Sequence, residues 1–255
     1  MTLTVDLNAD MGEGFGPWTM GDDAGLLPVI TSANIACGFH ASDPDVMATT
    51  MAAAVKAGVG IGAHPGFADL QGFGRRRIHL SQAELRALIA YQLGAAQAVA
   101  ALVGGRVRHL KLHGALANMA AEDADMARAC YDAARAVSPD IILVALAATA
   151  QEQAAIALGG PWVAEVFADR AYNDDATLVD RKLAGAVIHD PETAAARMVA
   201  MLRAGAIITA SGKHIPTKID TICLHGDTAN AVQIARTTRA ALTAAGIRVA
   251  QFNPG

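Results

Sequence analysis

The chain has 255 residues, 53% hydrophobic but only 4% aromatic, with a formal charge of -4 and eight histidines. That length supports a core without disulfide or metal, and the weakly acidic balance offers no basic field for a nucleic-acid backbone, so no nucleic-acid partner is expected. Charged residues are read as breaking the apolar runs short of a membrane span, and Asp6 and Asp10 stand where a secretory signal would be basic and then apolar, so no membrane association is expected either.

Short β-branched runs alternate with longer alanine-rich stretches of helical period, which predicts repeated βα units. In chain order the predicted strands are Leu3–Leu7, Ser32–Ala36, Gly60–Ala63, Val107–Leu112, Ile141–Ala145, Val163–Phe167, Thr221–Leu224 and Ile247–Phe252. The predicted helices between them are Asp45–Ala57, Gln82–Leu102, Asp123–Val137, Thr149–Leu158, Pro191–Arg203 and Thr228–Ala245. Ser81 with Glu84 forms a capping-box pattern, Pro44 and Pro191 suit the first helical turn, and Gly58, Gly104 and Gly246 suit helix ends. Residues 206–219 break the rhythm and predict a hairpin. No linker or repeat divides the chain, so residues 1–255 are expected to form one domain. Polar residues follow most of the strands, which favours a closed (β/α) barrel over an open doubly wound sheet.

Those polar residues cluster at the predicted strand ends: Asn8 to Glu13, Cys37 to His40, His64–Pro65, Lys111 to Gly114, Glu165 to Arg170 and His225 to Asp227. In a parallel α/β fold these ends share one face, so the clusters can converge. Residues two apart in a strand point the same way, which groups Asp6, Asn8 and Asp10; His109, Lys111 and His113; Glu165, Phe167 and Asp169; and Cys223, His225 and Asp227. A row of ionisable groups inside a barrel marks either a buried network or a cleft, and the set as a whole favours a cleft.

Several signals have plainer readings. His79 and His189 lie outside the clusters and read as surface residues, His109 as a packed strand residue, and Cys37 and Cys223 as small buried side chains. Lys111 in a strand calls for a task or for a salt bridge to Asp10 or Glu165. Gly72 to Arg77 suits either an anion or arginines paired with nearby acids. Residues 205–214 fail the phosphate-loop spacing, and Gly72 and Gly74 lack the third glycine of a dinucleotide fingerprint. Three cysteines without Cys-x-x-Cys spacing point to a reducing cytoplasm.

The segments Asp6–Leu7–Asn8–Ala9–Asp10–Met11–Gly12–Glu13, Asn34 to Pro44, Gly62 to Pro65, Gly72 to Arg76, Lys111 to Leu116, Phe167 to Arg170 and His225 to Asp227 together resemble the LamB/YcsF family, also called the 5-oxoprolinase A subunit family. The resemblance runs in order along nearly the whole chain. Ala9, Ser42, Leu112 and Ala117 depart from the residues common in that family, whereas the carboxylate, histidine and lysine positions match. The resemblance implies an incomplete (β/α) TIM-like barrel of the glycoside hydrolase/deacetylase type. It also implies ATP-dependent opening of the lactam 5-oxo-L-proline to L-glutamate, with subunits B and C as partners and ATP, with Mg2+, as co-substrate.

On that reading Asp10, His64, Lys111, His113 and Glu165 are the expected catalytic residues. Lys111 would stabilise the activated oxygen or phosphate, Asp10 or Glu165 would act as base, and His64 and His113 would move protons to the ring nitrogen. Asn8, Glu13, His40, Arg75, Arg170, Arg181, His225 and Asp227 are the expected substrate- or phosphate-binding residues. No metal is expected. The competing readings are a metal-dependent amide or ester hydrolase using Asp10, His40, His64, His113 and His225, and a binding barrel without catalysis.

Overall fold

The computed structural model describes residues 3–225 and 230–253. Seven parallel strands close into a barrel: β1 (Thr4–Met11), β2 (Ser32–Ala36), β3 (Gly60–His64), β4 (Val107–Lys111), β5 (Ile142–Leu146), β6 (Trp162–Phe167) and β9 (Thr221–Leu224). Closure is direct, because β9 pairs both with β6 and with β1, where Asn8 faces Cys223. The barrel has one strand fewer than the usual eight.

Outside it run α1 (Asp23–Leu26), α2 (Pro44–Ala57), α3 (Gln82–Leu102), α4 (Gly114–Glu122), α5 (Ala124–Val137), α6 (Ala150–Leu158), α7 (Pro191–Ala204) and α8 (Ala231–Ala244). The predicted hairpin is present as β7 (Ala206–Ile208) against β8 (His214–Pro216). The caps act as their residue types predict. Asp43 accepts from the N–H groups of Asp45 and Val46 ahead of Pro44, Ser81 and Glu84 close a capping box, and Gly58 ends α2 in the left-handed conformation.

Alternation along the strands separates two environments. Outward residues such as Leu7, Ile35, Ala63, Leu110, Leu143, Val166 and Ile222 join the helices in the main apolar core. The inward positions are largely polar: Asp6, Asn8 and Asp10, Ser32 and Asn34, His64, His109 and Lys111, Glu165, and Thr221 with Cys223. Small alanines on the helices let them lie close to the barrel, so buried polar groups inside are matched by a thick apolar shell outside.

Three expectations change. The last predicted strand shortens to β10 (Arg248–Val249), which pairs with the start of β1. The chain then turns beneath the barrel, and Phe252 packs with Ile142, Val144 and Val163 and edge-on to His109. Helix α4 lies where no helix is predicted, and β4 runs into it through Leu112 and His113 alone. The apolar runs are not all interrupted by charge: the stretch from Arg86 to Arg106 has no charged residue between them, and α3 is long and apolar enough to cross a membrane. Its buried face, Leu85, Leu88, Ile89, Leu93, Ala96 and Ala100, belongs to the barrel's core.

Candidate active site

A cavity of about 640 Å3 opens where the carboxyl ends of the strands meet, and Asp10, His64, Lys111, His113, Glu165 and His225 share its wall. Such a volume is ordinary for a small-molecule site.

Its floor is a directional network inside the barrel. The hydroxyls of Thr31 and Ser32 donate to Asp6 Oδ1 (2.6 and 2.7 Å) and that of Thr221 to Oδ2 (2.6 Å). Burial pushes the Asp6 carboxyl up to about 6 against those three bonds. Above it, the Asn8 amide donates to Glu165 Oε1 (3.0 Å) and Thr221 (2.7 Å), and Asn34 donates to Asn8 (2.7 Å) and to Asp10 Oδ1 (2.9 Å). His109 Nε2 lies 2.9 Å from Asn34 Oδ1 and donates to it, and burial pushes that imidazole down to about 3. His109 is thus the packed strand residue its position suggests, and Gly62 on the neighbouring strand exists because a Cβ there would overlap its ring.

Lys111 stands on this floor. Its Nζ donates to Asp10 Oδ1 (2.8 Å), Cys223 Sγ (2.8 Å) and Asn8 Oδ1 (3.4 Å), is ion-paired with Glu165 Oε1 at 3.1 Å, and lies over the Phe167 ring. Both plain readings of this lysine therefore hold together: it is ion-paired with both carboxylates, and it faces the cavity. Burial works against the ammonium, but the Asp10 and Glu165 carboxylates beside it hold its pKa well above the usual lysine range. For Glu165 burial dominates and raises the carboxyl. Cys223 is neither inert filler nor a poised nucleophile: burial raises its thiol, which accepts from Lys111. Cys37 donates to the Ile35 carbonyl and is pushed up to about 12 by burial.

The histidines divide into two groups. His64 Nδ1 lies 2.8 Å from the Lys111 carbonyl oxygen and His113 Nε2 lies 2.9 Å from that of Phe73, so each ring donates there. Their other nitrogens, His64 Nε2 and His113 Nδ1, are turned on each other at 3.0 Å, with Asp10 Oδ2 3.4 Å from the first and Glu13 Oε1 3.6 Å from the second. In their neutral forms each ring spends its one N–H on a backbone carbonyl and turns its lone pair toward the other ring. His40, fully buried, stacks on His113 at 3.6 Å, and its Nε2 is 3.4 Å from Glu13 Oε1. Glu13, His40, His64 and His113 offer ligand atoms within 4.8 Å of one another, as do Asp10, Cys223 and His225.

Across the cavity His225 Nδ1 lies 2.8 Å from both oxygens of Asp169, and its Nε2 lies 3.3 Å from a nitrogen of Arg181. Arginine can only donate, so Nε2 is the acceptor and Nδ1–H points at Asp169. Burial would raise the Asp169 carboxyl, but His225, Arg181 and Arg170 hold it below the usual range. Asp169 is a site residue that sequence reasoning left out of its binding set, although the strand parity of Glu165, Phe167 and Asp169 carried the signal.

The expected anion-binding arginines separate as well. Arg75 and Arg181 line the cavity, Arg75 beside the Phe73 ring. Arg170 also reaches the cavity but spends its guanidinium on the carbonyls of Val179 (2.7 Å) and Ala186 (3.3 Å). It thereby pins the loop between β6 and α7, and burial lowers its pKa to about 10. Arg76 pairs with Asp69 and Arg77 with Glu122. The glycines here serve close approach: a Cβ on Gly72 would overlap Asp69 and Arg76, one on Gly74 would press on His40 and His113, and one on nearby Gly114 would meet the Gly74 carbonyl. Asp227 lies outside the described residues. His79 and His189 are exposed, as their positions predict.

A parallel (β/α) barrel with a buried lysine, two carboxylates and facing histidines at its carboxyl mouth defines an α/β barrel protein built around a polar small-molecule site. The chain matches the LamB/YcsF family model over residues 5–254, and it belongs to that family. It is 68% identical to the 5-oxoprolinase A subunit of Ruegeria pomeroyi, over 97% of this chain and 98% of that one. Against the 5-oxoprolinase A subunit of Rhodopseudomonas palustris strain BisB18 the identity is 55%, over 99% of each. The crystal structure of the lactam utilization protein from Thermus thermophilus superposes with a TM-score of 0.92 at 41% identity, covering 98% of this chain and 100% of that one. A putative cellobiose-phosphate cleavage protein from Enterococcus faecalis shares the fold, with a TM-score of 0.58 at 13% identity, over 98% of each chain.

Proposed function

We propose that this chain is the A subunit of a 5-oxoprolinase, a hydrolase that opens the cyclic amide 5-oxo-L-proline to L-glutamate, coupled to ATP hydrolysis and working with B and C subunits. The observation that carries the reading is the Lys111 ammonium held between Asp10 and Glu165 on the cavity wall, in a chain close to proteins named for that activity.

A lactam resists hydrolysis because its nitrogen is a poor leaving group. Transfer of the γ-phosphoryl group of ATP to the lactam oxygen releases ADP and leaves the ring carbon electrophilic. Water then adds and gives up a proton to a base, the C–N bond breaks as nitrogen gains a proton, and the γ-glutamyl phosphate formed takes a second water to yield glutamate and phosphate. In this sequence Lys111 stabilises charge on the oxygen or phosphoryl group from a site that burial makes low in dielectric. Asp10 or Glu165, both within hydrogen-bond reach of Lys111, receives the proton of water. His64 and His113, together with His225 oriented by Asp169, line the part of the cavity where the ring nitrogen gains its proton, while Arg181 and Arg75 hold the substrate carboxylate or a phosphate. A cytoplasmic location agrees with the three buried free thiols.

The test is glutamate release from 5-oxoproline by the purified chain mixed with its B and C subunits, with and without ATP. ATP-dependent release only from the complete mixture is expected. Full activity of the isolated chain, or release independent of ATP, overturns the reading.

A further inference from the structure

We propose that the pair of facing imidazoles forms a divalent transition-metal site, with His64 Nε2 and His113 Nδ1 as nitrogen ligands and Glu13 and Asp10 as the carboxylates beside them. The inference stands on geometry and does not depend on the lactam or on ATP.

The tautomers carry the argument. Two backbone carbonyls, of Lys111 and of Phe73, each accept the single N–H of one neutral ring. That leaves two lone pairs aimed at each other across 3.0 Å inside the protein, where no water-like dielectric relieves their repulsion. Such an arrangement calls for a cation between them. The surrounding atoms are those that a metal ion uses: Asp10 Oδ2 is 3.4 Å from His64 Nε2, and Glu13 Oε1 is 3.6 Å from His113 Nδ1. Ligands about 2.0–2.1 Å from a tetrahedral ion lie roughly 3.3 Å from one another, and the three separations bracket that value. The rings of His64 and His113 stand edge-on at 88°, so the two nitrogens meet without the rings stacking.

His40 has a different part. It lies parallel to His113, at an interplanar angle of 4°, so both rings cannot aim lone pairs at the same ion. Its two ring nitrogens are buried and make no hydrogen bond among the described residues, and Nε2 is 3.4 Å from Glu13 Oε1. Once Glu13 is drawn to an ion, that nitrogen is placed to donate to it, as the outer partners of metal ligands commonly do. The alternative grouping of Asp10, Cys223 and His225 is weaker, because the Lys111 ammonium already sits 2.8 Å from its thiol and Arg181 already donates to its imidazole. Two imidazoles with two carboxylates suit zinc, cobalt or iron(II) better than magnesium or calcium, which favour all-oxygen shells. The ligands face the cavity, so a bound ion with an open position would supply a Lewis acid to an oxygen of the ligand there.

The experiment uses the full-length chain, stripped with a chelator, exchanged into metal-free buffer and titrated with Co2+. Uptake of one Co2+ per chain is expected, with the d–d absorption of a nitrogen/oxygen shell. His64→Gln and His113→Gln should each weaken uptake at least about ten-fold, while the exposed control His189→Gln leaves it unchanged. X-ray absorption of the Zn2+-loaded wild-type protein, which needs no variant to fold, should show two imidazoles, light oxygen atoms and no sulfur. Absence of stoichiometric uptake by the folded wild-type chain overturns the proposal and leaves a shared proton as the trapped cation. A sulfur ligand also overturns it by moving the ion to Cys223, as does uptake within two-fold of wild type in both histidine variants.

Discussion

Replacing Lys111 by Met keeps most of the side chain's length and removes only the charge that Asp10 and Glu165 share. The ammonium is 2.8 Å from one carboxylate and 3.1 Å from the other, and all three side chains are under one-tenth exposed. Breaking a buried ion pair from one side costs about 3–5 kcal/mol, because the partner charge stays behind without compensation. At ~2 °C of melting temperature per kcal/mol for a chain of this size, Lys111→Met should melt roughly 6–10 °C below wild type. Adding Glu165→Gln removes one of the stranded carboxylates and should recover part of that loss without restoring glutamate release. Differential scanning calorimetry on the two variants and wild type, with activity measured in the three-subunit mixture, separates stability from catalysis. A Lys111→Met protein that melts within about 2 °C of wild type, or that keeps full activity, would show that the lysine is not the charge on which this site is balanced.

Gly62→Ala puts a methyl group into the space of the His109 ring and should cost about 1–3 kcal/mol, measured by urea denaturation; His109→Ala in the same chain should return most of it, and no rescue would mean that the ring is not the obstacle. Asp6, with its carboxyl raised to about 6 against about 3.9 when unfolded, adds stability that is complete below pH ~4 and lost as pH rises through ~6, amounting to roughly 3 kcal/mol. The stability difference between wild type and Asp6→Asn should therefore move against wild type by that order between pH 4 and pH 7.5, whereas a constant difference refutes the assignment. Asp169→Asn removes the acceptor that keeps the His225 proton on Nδ1, so kcat should fall by at least about 100-fold with KM little altered. An unchanged kcat would leave Asp169 with a merely structural part.

Much of the site was legible because strand parity is a local rule. Asp6, Asn8 and Asp10 share a direction in any β-strand, and so do His109 and Lys111, or Glu165 and Phe167, whichever strands lie next to them. The βα rhythm, the Ser81–Glu84 capping box and the Gly58 stop are local in the same sense. Less legible were elements whose identity depends on distant partners. Helix α4 starts at Gly114, directly after His113, and residues 250–252 read as a continuing strand until Phe252 is seen closing the base of the barrel. The run from Gly72 to Arg77 leaves two readings open in the sequence, and only the folded chain divides it between them. Gly74 makes room for His40 and His113, Gly72 makes room for the Asp69–Arg76 pair, and Glu122 takes Arg77, which leaves Arg75 on the cavity.

By itself the sequence determined the order of the βα units and the side chains that share a direction along each strand, because those follow from the periodicity of strands and helices; it favoured a barrel, and the pairing of β9 with β1 decided it. Tertiary structure alone decided what these side chains do to one another. Closing β9 onto β1 brings Cys223, Asn8 and Asp10 to Lys111, and the Lys111 and Phe73 carbonyls choose which nitrogens His64 and His113 leave facing. Protonation, tautomer and ligand geometry depend on distances of about 3 Å between residues far apart in the chain, and only the folded backbone sets those distances.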